Sequence, residues 1–149
     1  MSSQDDYHNI GIEIGITIRQ WRARMDERLA PLGLTQAKWV PLRYLSHAGG
    51  SLPQRKLLDR IGIEGPSLVR ILDELERLGL IERKNCSSDR RTKIIYLTER
   101  VKPMIDEIEK RASQLRHEIF DGILDQDIDV FRKVLARISH NLEKEASHK

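Results

Sequence analysis

Apolar residues recur at spacings of three and four along three stretches of this 149-residue chain, and those stretches predict its long helices. The first runs from about His8 to Leu29. Ile10, Ile14, Ile18, Trp21, Met25 and Leu29 form its stripe, and Pro31 and Gly33 lie beyond its end. The second starts near Thr98 and runs to about Phe120, carrying Val101, Met104, Ile105, Ile108, Ala112, Leu115 and Ile119, with Pro103 set to shift its start or bend its first turns. The third follows Asp125, placed as its cap with Asp127 in the first turn. Its apolar side is Ile128, Phe131, Val134, Leu135, Ile138 and Leu142.

The middle of the chain has a finer grain. Thr35 can cap a helix reaching His47, in which Pro41 removes a backbone bond and is expected to kink the axis. A Gly- and Ser-rich turn from His47 to Pro53 leads to a third helix ending near Gly62. Ser51 and Gln54 are spaced there as a capping box, with Pro53 in the first turn. A fourth helix spans Glu64 to Leu78 and is stopped by Gly79. Leu80 to Asn85 and Lys93 to Leu97 read as two short strands joined by the polar tip Cys86 to Thr92.

The terminal helices carry more apolar surface than so small a middle can cover. Packing between two subunits would bury it, so a homodimer through Ile10, Ile14, Ile138 and Leu142 is expected in place of a monomeric bundle. The expected fold class is mainly α with a small β-hairpin wing: a winged helix-turn-helix with N- and C-terminal dimerisation helices. Its parts are 1–34, the N-terminal dimerisation helix; 35–98, the winged helix-turn-helix; and 99–149, the C-terminal dimerisation helices, intertwined as one domain.

Charge changes the picture more than composition does. Of the residues, 39% are hydrophobic and 33% charged, a globular balance. No apolar run approaches the roughly 20 residues that cross a bilayer, so no membrane partner is expected. Met1 to Tyr7 is acidic and polar, unlike a secretory signal. The single cysteine, Cys86, allows no internal disulfide and suits a reducing cytoplasm. The net charge of +3 is uneven. Arg55 to Lys93 holds 10 Lys and Arg against 7 Asp and Glu, whereas residues 94–149 hold 10 against 11. A positive middle favours a polyanion, although basic stretches are often only solvated faces.

The segment LLDRIGIEGPSLVRILDELERLGLI, Leu57 to Ile81, places two short helices about a tight Gly62-Ile63 turn. In the second, Leu68, Ile71, Leu72, Leu75 and Leu78 make an apolar face, while Pro66, Ser67, Arg70, Glu74 and Arg77 lie opposite. Asp73, Glu74 and Glu76 would repel phosphates in its C-terminal half. The N-terminal half offers Ser67, Arg70 and the positive end of the helix dipole. Such a helix enters a major groove of double-stranded DNA N-terminus first, where Arg70 can bind guanine in bidentate fashion and Ser67 a base edge or phosphate. The hairpin that follows exposes Arg90 and Arg91 at its tip, one of which suits a minor groove, with Asp89 able to hold a guanidinium and Lys93 beside them. Taken singly, such a helix is also an ordinary amphipathic helix, and such a tip also blocks edge aggregation.

The stretches GIEGPSLVRILDELERLGLIER and SSDRRTKIIYLTE closely resemble the MarR family, and within it the SlyA-type regulators; RQWRARMDERLAPLGLTQAKWV extends the likeness toward the N-terminus. The resemblance implies a bacterial homodimer, located in the cytoplasm at the nucleoid, that binds pseudo-palindromic promoter sites as a repressor, an activator or both. It implies that Glu64 to Leu78 reads the major groove and that Arg90 or Arg91, next to Asp89, enters the minor groove. It also implies a pocket for small aromatic carboxylates, lined by Trp39; Arg70 is the candidate partner for the anionic group. Arg55, Leu58 and Pro41 depart from the family pattern, where an apolar residue, a small alanine and an uninterrupted helix are usual.

No catalytic site, metal or cofactor is expected. His8, His47, His117, His140 and His148 lie far apart, without metal-ligand spacing, and no phosphate loop, nucleophile elbow or dinucleotide fingerprint is present. Cys86 lies near Arg83, Lys84 and Arg90, which can lower its pKa and make it a redox sensor; the alternative is an incidental small residue in a wing. Trp39 is either a core side chain or part of the ligand pocket. A protein-binding or architectural winged helix is the rival function.

Overall fold

The computed structural model describes residues 7–146, with side chains through Lys144. Its chain forms two compact units, residues 1–115 and 116–149. His148 lies outside the described residues, as does the acidic start through Asp6.

In the first unit, helix α1 spans Ile10–Leu29 and is followed by a 3-10 turn, Ala30–Leu32. Only the C-terminal part of its stripe, Met25 and Leu29, enters the core. Helix α2, Gln36–His47, is capped by Thr35, whose hydroxyl accepts from the Lys38 amide at 3.4 Å. Its first turn is also held from α1, because the Gln36 amide donates to Asp26 at 2.7 Å. The helix is continuous through Pro41, as its expected span to His47 requires. Pro41 is buried beside Trp39, Leu42 and Leu45, so core packing offsets the one missing backbone bond.

Gly49 and Gly50 both take positive φ, 83° and 105°, a reversal that side chains with a Cβ rarely adopt. It delivers strand β1, Ser51–Pro53, which corrects the capping box expected at Ser51 and Gln54. Ser51 pairs with Tyr96 in the sheet, and the cap position of the next helix falls to Pro53, which has no side-chain acceptor. Burial of Leu52 opposite Ile95 outweighs the lost cap. Helix α3, Gln54–Ile61, ends at Gly62 with φ 71°, and helix α4, Gly65–Arg77, follows directly. Strands β2, Ile81–Asn85, and β3, Lys93–Leu97, form the hairpin, and the antiparallel order is β1-β3-β2, three strands where two were expected.

Leu57, Leu68, Leu72, Leu75, Ile81 and Ile95 are fully buried between helices and sheet. Helix α5, Lys102–Ile119, starts later than Thr98. The Thr98 hydroxyl instead donates to the Gly79 carbonyl at 2.6 Å, tying the end of the sheet to the end of α4. Val101, Ile108, Ala112 and Leu115 complete the core of this unit. In the second unit, helix α6 spans Asp125–Ala146, with Asp125 as its first residue rather than its cap. Among the described residues, no helix is long and apolar enough to cross a membrane.

Candidate nucleic-acid interface

The buried leucines of α4 fix which side it shows. With Leu68, Leu72 and Leu75 inward, Pro66, Val69, Arg70, Asp73, Glu76 and Arg77 are exposed, and Ser67 and Glu74 are half-buried at the margins. Val69 was not singled out by the sequence. An exposed valine on this face offers an apolar contact of the kind a thymine methyl accepts.

The acids of α4 do not stand free. Arg83, on β2 and only 19% exposed, donates to Asp73 at 2.6 Å and to Glu76 at 3.2 Å. Its backbone amide also donates to Glu76 at 3.2 Å. The Arg83 hydrogen bond holds the Glu76 carboxyl below the usual carboxylate range and raises the guanidinium in turn. Glu74 is taken by Arg77 at 2.9 Å, which likewise lowers its carboxyl. The three acids of the phosphate-repelling half are thus each held by an arginine, Asp73 and Glu76 sharing Arg83, and the wing is clamped to the helix. Sequence reasoning missed this clamp because its partners lie seven and ten residues apart and meet only after the hairpin folds.

At the wing tip, Asp89 departs from its expected role of gripping a guanidinium. One carboxylate oxygen accepts the Arg91 amide at 2.9 Å and the other the Thr92 hydroxyl at 3.1 Å. With the Thr92 amide bonded to the Asp89 carbonyl at 3.1 Å, the tip closes on itself. Arg90 and Arg91 are left exposed without an ion pair among the described residues, as is Lys93 at the start of β3. Cys86 lies 3.1 Å from the Ser88 hydroxyl. That hydrogen bond, with backbone N–H groups of Ser88 and Asp89, lowers its pKa; the nearby cations expected to do so are not the cause.

Trp39 is 3% exposed, a core side chain of α2, whereas Arg70 is exposed on α4. A depression of ≈ 860 Å³ at the base of the wing, bordered by Glu76, Arg83, Lys84, Tyr96 and Arg100, includes neither. Among the described residues no group of three or more His, Cys, Asp or Glu is placed to hold a metal.

A profile of the MarR family matches residues 32–92. The chain is 41% identical to the transcriptional regulator PA3341, with 90% of this chain and 98% of that one covered and a TM-score of 0.78. CouR from Rhodococcus jostii RHA1, solved bound to p-coumaroyl-CoA, is 27% identical over 91% of this chain and 95% of its own, with a TM-score of 0.79. A cysteine mutant of MarR from E. coli, solved with operator DNA, is 19% identical, covers 93% and 99%, and has a TM-score of 0.81, a likeness of fold.

Proposed function

The chain belongs to the MarR family, and on that premise we propose that it is a sequence-specific DNA-binding transcription regulator of the SlyA type, a repressor, an activator or both, acting in the bacterial cytoplasm at the nucleoid. It binds pseudo-palindromic promoter sites as a homodimer. Each protomer sets α4 into a major groove N-terminus first and the wing tip into the adjacent minor groove. The observation that carries this reading is the distribution of unpaired charge. On α4 and the wing, Asp73, Glu74 and Glu76 are each taken by an arginine, while Arg70, Arg90, Arg91 and Lys93 have no ion pair among the described residues. Arg70 supplies bidentate recognition of guanine, Pro66 and Ser67 bring the helix start against the groove, and the wing cations meet phosphates and the minor groove.

Release by a small aromatic carboxylate is part of the same proposal, with Trp39 and Arg70 as its contacts. CouR, solved bound to p-coumaroyl-CoA, supports an aromatic ligand, although its acyl carboxyl is there a thioester and not a free carboxylate. Trp39 is so buried that the ligand must part its neighbours, which suits affinity near 1 mM, roughly 4 kcal/mol. One experiment tests both parts. Bound sequences are selected from a randomised duplex pool, and salicylate is then titrated into the selected complex. Arg70→Ala should lose about 1–3 kcal/mol on the selected site and relax its base preference. Salicylate should displace wild type and not Trp39→Ala. Failure to enrich any sequence overturns the regulator reading; equal or absent displacement removes only the ligand.

A further inference from the structure

We propose that residues 10–18 are a latent β-strand that pairs with the same residues of other copies of this chain, and that the dimer read above, on which this second clause rests, keeps them helical. From Ile10 the chain runs IGIEIGITI, with isoleucine at every second position through Ile18. That is the period of a strand. Extended, all five isoleucines line one face, and Gly11, Glu13, Gly15 and Thr17 line the other. Wound into the start of α1, the same residues have no single apolar side. Two positions along a helix span about 200° of rotation, so Ile12 and Ile16 lie opposite Ile10, Ile14 and Ile18. All five are exposed, Ile12 the most at 61%, and of α1 only Met25 and Leu29 are buried. Local forces do not favour this helix. Isoleucine and glycine are weak helix formers, and Asn9 at the helix start makes no side-chain cap bond. A Cβ at Gly11 would meet nothing, and one at Gly15 only the tip of Arg19 at 3.5 Å, so no neighbour within this chain requires either glycine. Helices of such composition persist through tertiary packing, which the chain's own residues do not give to these nine. The segment carries one charge, Glu13, and no proline, and Arg19 with Gln20 ends the alternation. High β-propensity with so little charge is the signature of stacked, in-register strands. An identical copy is the partner that fits, because it offers isoleucine at every rung and satisfies the N–H and C=O groups that a lone strand leaves open.

The test uses the full chain carrying Ile138→Asp and Leu142→Asp, changes that should part the dimer. This parent variant should develop thioflavin T fluorescence, and its product should diffract at about 4.7 Å along the fibre axis, the spacing of stacked strands. Wild type at the same concentration should give neither signal. Adding Ile12→Lys and Ile16→Lys to the parent should abolish both, because charges then repeat along the apolar face. Adding Glu13→Gln should shorten the lag, because it removes a like charge from every rung. Val130→Lys and Val134→Lys instead change exposed apolar positions of α6 and should leave lag and diffraction as in the parent. The inference is overturned if the parent forms no stacked-strand product, if the Ile12 and Ile16 changes leave that product intact, or if the α6 changes abolish it equally. A parent that stays a folded monomer strikes the dimer reading and the clause that rests on it. The latent strand is then decided by the same series in the wild-type background at each protein's thermal midpoint, where unfolding releases the segment without any dimer, and by the same outcomes.

Discussion

At the wing tip one carboxylate decides whether two arginines are presented or wander. Asp89 spends both oxygens on the Arg91 amide and the Thr92 hydroxyl, so it orders the turn and leaves each guanidinium free for DNA. This differs from an aspartate that orients an arginine by ion pairing, and the two roles separate by substitution. Asp89→Ala removes both acceptors. The tip should loosen, and affinity for duplexes with AT-rich flanks should fall by roughly 1 kcal/mol with stability nearly unchanged, since the tip is exposed. Asp89→Asn keeps one carbonyl acceptor for the Arg91 amide and removes a charge that repels phosphate. It should therefore bind at least as well as wild type in an equilibrium titration. If Asn is as damaging as Ala, the aspartate acts through its charge and the capping account is wrong. The same distinction explains what the sequence made visible here. That Arg90 and Arg91 sit on an exposed turn followed from the polar run between two strands; what Asp89 touches depended on the backbone of the turn.

Between elements, the decisive contact is the Arg83 clamp from β2 to α4. Arg83→Met keeps the aliphatic stem but frees Asp73 and Glu76 beside the reading face. Both acids are about half exposed, so the stability lost should stay under about 1 kcal/mol per pair. DNA affinity should drop several-fold because two acids then face phosphate. The combination Asp73→Asn, Glu76→Gln, Arg83→Met should recover most of that affinity; no recovery would mean that Arg83 contacts DNA itself. The pH sign follows from Glu76, whose folded carboxyl is depressed below its ordinary 4.5 by the Arg83 hydrogen bond. The clamp is fully present above that ordinary value and is lost as pH falls through the lower folded one. Protection of the Arg83 amide, which donates to Glu76, measured relative to its intrinsic exchange rate at each pH, should therefore fall in acid before the core opens. The helices, Gly62, Gly79 and both hairpin strands were legible because periodicity and turn residues are local signals. Strand β1 was not, because three residues are too few for a period and Ser51 with Gln54 imitates a cap; only its pairing with β3, more than forty residues on, gives it away. Trp39 read as core from its place on an amphipathic helix, and as a ligand contact only through the family resemblance.

At the scale of the whole molecule, the proposed dimer answers for apolar surface that neither unit covers by itself. In the first unit, Ile10 and Ile14 on α1 are 38% and 42% exposed; in the second, Ile138 and Leu142 on α6 are 37% and 66% exposed, beside Phe131 and Val134. Isolated apolar side chains at a surface are ordinary, but whole helical stripes of isoleucine, valine and leucine are not, and a second copy of the chain is the partner that every molecule has available. If folding and association are coupled, the melting temperature of the wild type should rise with protein concentration, because mass action favours the state that binds. Replacing Ile138 and Leu142 with aspartate puts two charges where the partner's apolar surface should lie, and burying either unpaired costs more than the dimer can supply. Sedimentation and circular dichroism should then show dissociation together with loss of helix. A double variant that remains a stable, fully helical monomer would overturn the dimer. The consequence for DNA is geometric: a two-fold dimer places its α4 helices about 34 Å apart, so a selected operator should be an inverted repeat with half-sites one helical turn apart. The dissociated variant, having lost helix, should bind neither the inverted repeat nor a single half-site, because folding and association are lost together.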